Sequence, residues 1–333
     1  MALNVAVLGA GRIGTVHAQA IHRDADAKLV AVADAMPAAA QKLADDFNCV
    51  VSTIDAIEAD NSIDAVIICT PTDTHADLIE NFARAGKGIF CEKPIDLSAK
   101  RVRECLRVVA DCNAKLMVGF NRRFDDSFLA VKSAIDQGTI GDVELVEITS
   151  RDPAPPPIDY IKRSGGLFRD MTIHDFDMAR FLLGEEVDSV SAHASNLVDA
   201  EIGDAGDVDT ATVILETATG KQAVISNSRR ASYGYDQRIE VHGSKGMAAA
   251  DNPHPQTVHV ANETGYTTTP LHHFFMTRYE QAYANEIAAF VQIMNQNAEV
   301  TPSGEDGLAS LLIADAAYLS LQEKRRVQMA ELS

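Results

Sequence analysis

The run Gly9-Ala10-Gly11-Arg12-Ile13-Gly14 follows the apolar stretch Val5 to Leu8 directly and opens a helical pattern that reaches about His22. A bare G-x-G-x-x-G says little, but set between a strand and a helix it prescribes a dinucleotide-binding βαβ unit. Gly9 serves the tight turn, Gly11 the close approach of a pyrophosphate and Gly14 the packing of helix on strand. The first helical turn, with Arg12 and Ile13, offers backbone N–H groups to an anion. Asp34 ends the next strand, Leu29 to Ala33, twenty residues past Gly14. An acidic side chain there meets the adenosine ribose 2′-OH and repels a 2′-phosphate, and Ala35-Met36-Pro37 supplies no cation to receive one. The cofactor expected is therefore NAD rather than NADP. A turn-forming Asp before Met-Pro is the plainer reading of Asp34 and stays open beside it.

The alternation continues after Asp34. Strands are expected at Cys49 to Ser52, Ala65 to Cys69, Gly88 to Cys91 and Lys115 to Gly119. Helices between the last three carry Leu78, Ile79 and Phe82 on one face and Val102, Cys105, Leu106 and Val109 on another. Gly86 is placed to end the first of these and Ser98 to cap the second. Strands alternating with helices imply a doubly wound parallel sheet, a Rossmann domain over residues 1–120. From residue 121 to 333 the rhythm changes. A helix is expected from Arg122 to Gln137, a strand from Val143 to Ser150, a proline loop at 153–157 and a helix through Phe176 and Phe181. Extended segments at Val187 to Ala194, Thr210 to Glu216, Gln222 to Ser226 and Gln237 to His242 suggest an open, mostly antiparallel sheet in an α+β domain. Helical periodicity returns at Arg278 to Asn295 and Glu305 to Arg325, and one of these segments is a candidate to pack on the first domain.

A chain of 333 residues exceeds the usual size of a single core, so two domains are the default. The formal charge of −19 repels phosphate backbones and anionic membrane surfaces, which argues against nucleic acid and lipid as partners. Five cysteines without a Cys-x-x-Cys pair fit neither a disulfide framework nor a zinc knuckle, and no metal site is expected. With no signal-like N-terminus and no apolar run near ~18 residues, the expected location is the cytoplasm.

Three further segments carry chemistry. Cys69-Thr70-Pro71 ends a strand at the carboxyl edge of the sheet, where Thr70, Pro71 and His75 can line the cofactor; His75 as an ordinary helix-start residue is equally open. Glu92-Lys93-Pro94 ends the next strand, and a lysine there can bind a substrate hydroxyl or stabilise a developing alkoxide. A solvated surface lysine is the bland alternative. Asp170 and His174 stand four apart in Asp170-Met171-Thr172-Ile173-His174.

These segments together resemble the glucose-fructose oxidoreductase and inositol dehydrogenase (Gfo/Idh/MocA) family over nearly the whole chain. The stretch Ser150-Arg151-Asp152-Pro153, followed by Ser164 through Arg180, is most similar to its bacterial inositol 2-dehydrogenases. The resemblance implies a catalytic triad of Lys93, Asp170 and His174, a cyclic polyol substrate and often a homotetramer formed through the C-terminal sheet. A helix beginning near Asp170 would put Asp170 and His174 on one face, where the carboxylate can orient the imidazole or stabilise its cation. Two metal ligands, or a capping Asp with a core His, are the competing readings of that pair. Asn121, Arg123, Asp152, Asp177, Tyr233 and Tyr235 are candidate substrate contacts, Arg123 and Tyr235 foremost, beside His174 itself. The implied reaction is NAD-dependent oxidation of a secondary hydroxyl, with myo-inositol giving 2-keto-myo-inositol (scyllo-inosose) and His174 as general base. Activity on scyllo-inositol, D-chiro-inositol or an aldose shares the same scaffold, and a non-enzymatic NAD-responsive regulator would keep the glycine-rich loop without needing the triad.

Overall fold

The computed structural model describes residues 2–296 and 298–332. The chain divides into two compact units: residues 1–125 with 281–311, and residues 126–280 with 312–333.

The first unit contains β1 (Leu3–Leu8), α1 (Arg12–Arg23), β2 (Ala27–Ala33), α2 (Pro37–Phe47), β3 (Val50–Val51), α3 (Ile54–Ala59) and β4 (Ala65–Ile68). It continues with α4 (His75–Arg84), β5 (Gly88–Glu92), α5 (Ala99–Asp111) and β6 (Leu116–Gly119). All six strands are parallel, in the order β3-β2-β1-β4-β5-β6. The reversal of direction between β1 and β4 is the switch point outside which ligands bind in such sheets. Gly86, at φ +71°, follows α4, and the Ser98 hydroxyl accepts from the Arg101 N–H at the start of α5. The strand expected at Cys49 to Ser52 shrinks to two exposed residues, because β3 is an edge that pairs only with Ala31 and Val32 of β2. One sheet face is completed from the far end of the sequence: Ile287, Phe290, Val291 and Ile293 share a core with Val5, Val7, Ile67, Phe90 and Met117.

The second unit opens with α6 (Asp126–Asp136), not with the single helix expected from Arg122. Residues Asn121–Phe124 form a 3₁₀ turn, and Asp125 is extended at φ −72°, ψ 126°, which separates the two. There follow β7 (Val143–Arg151), α7 (Ile158–Ser164), a π turn (Phe168–Thr172), α8 (Ile173–Leu183), β8 (Val187–Ser195), α9 (Ala200–Asp204), β9 (Thr210–Thr217) and β10 (Gln222–Ser228). The chain continues through β11 (Asp236–Gly243), β12 (Gly246–Ala250), the hairpin β13 (His259–Asn262) and β14 (Gly265–Thr268), α10 (Phe275–Arg278), α11 (Glu280–Gln296), α12 (Gly304–Glu323) and β15 (Val327–Gln328). Seven strands form one sheet in the order β12-β11-β7-β10-β9-β8-β15. Every neighbouring pair is antiparallel except β7 with β10.

Alternation along these strands makes one face of the sheet core. Val146, Ile148, Val213, Leu215, Ala223, Ile225, Ile239 and Val241 pack with Phe176, Met178 and Leu182 of α8 and Ile313, Ala316 and Ala317 of α12. The opposite face is mostly polar. It presents Glu147, Thr149, Thr212, Ser226, Arg238 and Glu240, with Leu145, Val224, Ile214, Met247 and Ala249 among its apolar residues, Val224 directly opposite Ile214 and Met247 opposite His242. The period of two delivers nearly all the aliphatic side chains to the covered face.

Candidate functional site

In the first unit the glycine-rich loop has the geometry its spacing implies. Gly9 lies at φ +98°, and a Cβ there would come within 2.6 Å of the Cys69 carbonyl oxygen. A Cβ on Gly14 would sit 1.9 Å from the Gly9 carbonyl oxygen, so only glycine lets α1 start this close to β1. A Cβ on Gly11 would meet nothing within 4 Å, which leaves the space over the loop open. Helix α1 has no side-chain cap and no acidic residue in its first turn, so its leading N–H groups and the positive end of its dipole are available to an anion. This cradle fits a pyrophosphate.

Asp34 performs two structural tasks. One oxygen accepts from the Ala10 N–H at 2.6 Å and braces the loop, and the other accepts from the Met36 N–H at 2.6 Å, closing the turn before Pro37. The turn-forming reading thus holds, and an ionised carboxylate with about four acceptor sites retains capacity for a ribose diol.

At the carboxyl edge, the Thr70 and Thr74 hydroxyls are 2.7 Å apart, and Pro71 starts the short turn that leads into α4. His75 is only 2% exposed. Its Nδ1 lies 2.8 Å from the Pro94 carbonyl and its Nε2 2.7 Å from the Thr70 carbonyl. Burial, outweighing the opposing effect of the two carbonyls, lowers the imidazole pKa. A neutral ring donates its single N–H to one of these carbonyls, so His75 is not a surface residue but is buried between the Thr70 turn and the Lys93-Pro94 turn. Glu92 points an oxygen to His17 Nε2 at 2.7 Å, joining the end of β5 to α1. His17 is fully buried and was not singled out by any motif; its place on the inward face of α1 is the only signal it carried. Lys93, half-buried, precedes a cis peptide bond to Pro94.

Asn121 and Arg123 lie in the 3₁₀ turn after β6, both buried. Arg123 Nη2 donates to Asp306 at 3.0 Å and Nη1 to the Thr301 hydroxyl at 3.4 Å, so this guanidinium is built into an ion pair of the first unit. The Asn121 amide nitrogen is buried with no hydrogen-bond partner among the described residues.

The second unit places Asp152 just past β7, Asp170 in the π turn and His174 in the first turn of α8. Asp170 stands in a π turn and not in the α-helix assumed from its spacing to His174, so the expected shared helical face is replaced by a wider turn. One Asp170 oxygen accepts from the Tyr160 hydroxyl at 2.8 Å, and the other accepts from Arg229 Nη2 at 3.1 Å. Arg229 Nη1 also reaches Asp152 at 3.4 Å. Burial works against the guanidinium charge, but Asp170 and Asp152 outweigh it and raise the Arg229 pKa above its usual value.

His174 is half-buried, and Asn227 anchors its chain neighbours on both sides. The Asn227 carbonyl accepts from the Thr172 hydroxyl at 2.9 Å, and its amide donates to Asp175 at 2.8 Å. Tyr235 is buried with its ring edge-on to Phe274 and Tyr279. Tyr233 is exposed, and its hydroxyl donates to Asp236. Asp177 is buried on α8. Sequence reasoning missed Tyr160, Asn227 and Arg229, which lie in runs with no motif. Among the described residues no cluster of three or more His, Cys, Asp or Glu is placed to hold a metal ion, and no helix is long and apolar enough to cross a membrane.

Residues 3–120 match the model of an oxidoreductase family with an NAD-binding Rossmann fold, and residues 128–249 match a GFO/IDH/MocA C-terminal domain. The chain is 67% identical over 330 residues to an inositol 2-dehydrogenase of Rhizobium meliloti, covering 99% of this chain and all of that one. A crystal structure of a myo-inositol dehydrogenase from Corynebacterium glutamicum superposes with a TM-score of 0.95 at 44% identity, over 98% of this chain and 99% of that one. The scyllo-inositol dehydrogenase from Lactobacillus casei, solved with bound NAD(H) and scyllo-inositol, gives a TM-score of 0.92 at 34% identity, over 99% and 100% of the two chains.

Proposed function

Because the chain belongs to the GFO/IDH/MocA oxidoreductase family, with its NAD-binding Rossmann fold, we propose that it oxidises a secondary hydroxyl of a cyclitol with NAD. The substrate that fits best is myo-inositol, converted to 2-keto-myo-inositol. The observation that carries this reading is the likeness to an inositol 2-dehydrogenase from end to end, with both the cofactor loop and the Asp170–His174 segment inside it. The open space over Gly11, the uncapped start of α1 and the braced Asp34 all suit the dinucleotide.

When bound, the nicotinamide supplies a hydride acceptor. In our reading His174 Nε2 takes the hydroxyl proton as general base, and Lys93 stabilises the oxygen as negative charge develops on it. Asp170 stabilises the imidazolium that results. Asp152, Asn121 and Tyr235 are assigned to the substrate hydroxyls. Arg123, held by Asp306, is a less direct candidate than its sequence position suggests. A preference for scyllo-inositol is the second reading, favoured by the likeness to the scyllo-inositol dehydrogenase.

A homotetramer assembled through the outer face of the seven-stranded sheet is part of this proposal, with Leu145, Val224 and Ile214 as the apolar centre of a mostly polar contact. Five free cysteines suit a reducing compartment such as the cytoplasm. The deciding experiment is NADH formation with a panel of inositol isomers and aldoses. Turnover with myo-inositol above all others supports the reading, and no turnover with any polyol removes it in favour of a dinucleotide-responsive regulator.

A further inference from the structure

The segment that follows β10 carries a residue the reaction scheme has not used. The Arg229 side chain is 3% exposed, and its backbone N–H is held by the Asp209 carbonyl at 2.8 Å. Its two terminal nitrogens divide between two carboxylates on different elements. Nη1 takes Asp152, whose N–H bonds the Ser228 carbonyl just past the end of β7, and Nη2 takes Asp170 in the π turn. Two carboxylates brought around one buried point repel each other unless a cation lies between them.

We propose that Arg229 is a positioning residue of the dehydrogenase reaction, whose guanidinium fixes Asp170 toward its task at His174 while holding Asp152 in its place among the substrate contacts. The proposal rests on the roles assigned above to Asp170 and His174. A planar, always charged fork suits this task better than an ammonium, because it engages two separated oxygens in fixed directions.

Several other ionisable groups around this point have partners of their own. Tyr160 donates to the second Asp170 oxygen. Asp207 accepts from the Leu167 N–H and from the Tyr318 hydroxyl, and Arg169 is paired with Asp315. Asp175 is held by Asn227. Arg229 thus bonds both Asp152 and Asp170 from one buried guanidinium. Its loss allows Asp170 to take up a proton at higher pH, and a neutral Asp170 no longer stabilises an imidazolium. The effect is expected in the pH dependence of turnover rather than in cofactor binding.

The test uses Arg229→Gln, Arg229→Lys, Asp170→Asn and the double variant Asp170→Asn/Arg229→Gln, each measured for kcat/KM against pH, for NAD affinity and for thermal midpoint. Arg229→Gln is expected to lower kcat/KM roughly 10-fold or more at neutral pH and to move the acid limb upward by about 1 pH unit. NAD affinity is expected to stay within about 2-fold. In the Asp170→Asn background the same change is expected to cost less than about 2-fold, because the two residues act as one unit. Arg229→Lys keeps the charge, so its acid limb is expected near the wild-type position with kcat reduced; this variant carries the test if the Gln variant does not fold. An unmoved acid limb in Arg229→Gln, independent multiplication of the two losses, or wild-type kcat in Arg229→Lys overturns the proposal. If Asp170→Asn alone leaves turnover intact, the role given to Asp170 falls first; if it is impaired and the Arg229 effects do not couple to it, only the Arg229 inference falls.

Discussion

Replacing Glu286 with Gln should make the protein more stable as pH rises, relative to wild type. Glu286 lies on the face of α11 that also carries Tyr283, Ile287 and Phe290, and it has no exposed surface. The Tyr283 ring stands edge-on to His17 at 5.5 Å and the Phe290 ring to Phe90 at 5.9 Å, so the residue between them faces the core of the first unit. Neither carboxyl oxygen has a hydrogen-bond partner among the described residues. Burial, reinforced by the charge of Glu92, raises its pKa well above the usual carboxylate range. The folded chain therefore keeps a proton that the unfolded chain releases above about pH 4.3. The unfolded state binds fewer protons over this window, so stability is full below the unfolded pKa and declines as pH rises toward the folded one. Each pH unit between the two pKa values costs about 1.4 kcal/mol. A glutamine has nearly the same shape and does not titrate. Its buried amide carries a penalty of about 1–3 kcal/mol, but one that is equal at every pH and cancels in the slope. Urea unfolding of both forms from about pH 5 upward should show the Gln variant gaining on wild type by up to about 1.4 kcal/mol per pH unit until the folded-state pKa is passed. Parallel stability profiles would refute the reasoning and place an ionised, solvated Glu286 in the folded chain.

Two further outcomes follow from the fold. Asp34, with no cation after it, should give NAD an advantage over NADP of about 100-fold in kcat/KM, or ~2.7 kcal/mol, and Asp34→Ser should narrow that gap while weakening NAD because the Ala10 brace is lost; kinetics with both cofactors check this, and equal efficiency in the wild type removes Asp34 from the ribose role. Light scattering should find a tetramer, and Ile214→Lys with Val224→Lys should shift it toward smaller species if the outer sheet face is the contact; a monomeric wild type at micromolar concentration contradicts the assembly.

What could be read in advance followed periodicity and backbone demands. The order of strands and helices around the glycine-rich loop was legible because parallel strands buried on both faces read as continuous apolar runs, and because Gly9 and Gly14 leave no room for any other residue. The antiparallel strands of the second unit were visible from alternation. Less visible were β12, whose Gly246-Met247-Ala248-Ala249-Ala250 lacks β-branched residues, and the β13–β14 hairpin, whose residues are all exposed and carry no burial pattern. In the site, Lys93, Asp170 and His174 stood out through the family likeness more than through any local rule. The partners that hold Asp170 could not be found that way. Arg229 is 59 residues from Asp170 and 77 from Asp152, and the register of β10 beside β7 is what sets it next to Asp152. The π turn shows the same limit. Spacing of four suggested one helical face, but Gly165 and Gly166, both at positive φ, re-aim the chain before α8 begins. His75 shows a different limit: a histidine at a helix start reads as a surface residue, while tertiary structure buries it against the Thr70 and Pro94 carbonyls.

The central claim is that His174 carries the proton in an NAD-dependent polyol oxidation, and steady-state kinetics on His174→Ala with a parallel NAD titration tests it most directly. The account predicts kcat reduced by roughly 10²- to 10⁴-fold, the usual worth of a positioned acid–base group, with NAD affinity essentially unchanged. Near wild-type turnover in that variant would put the base elsewhere, and loss of NAD binding would make His174 a structural residue.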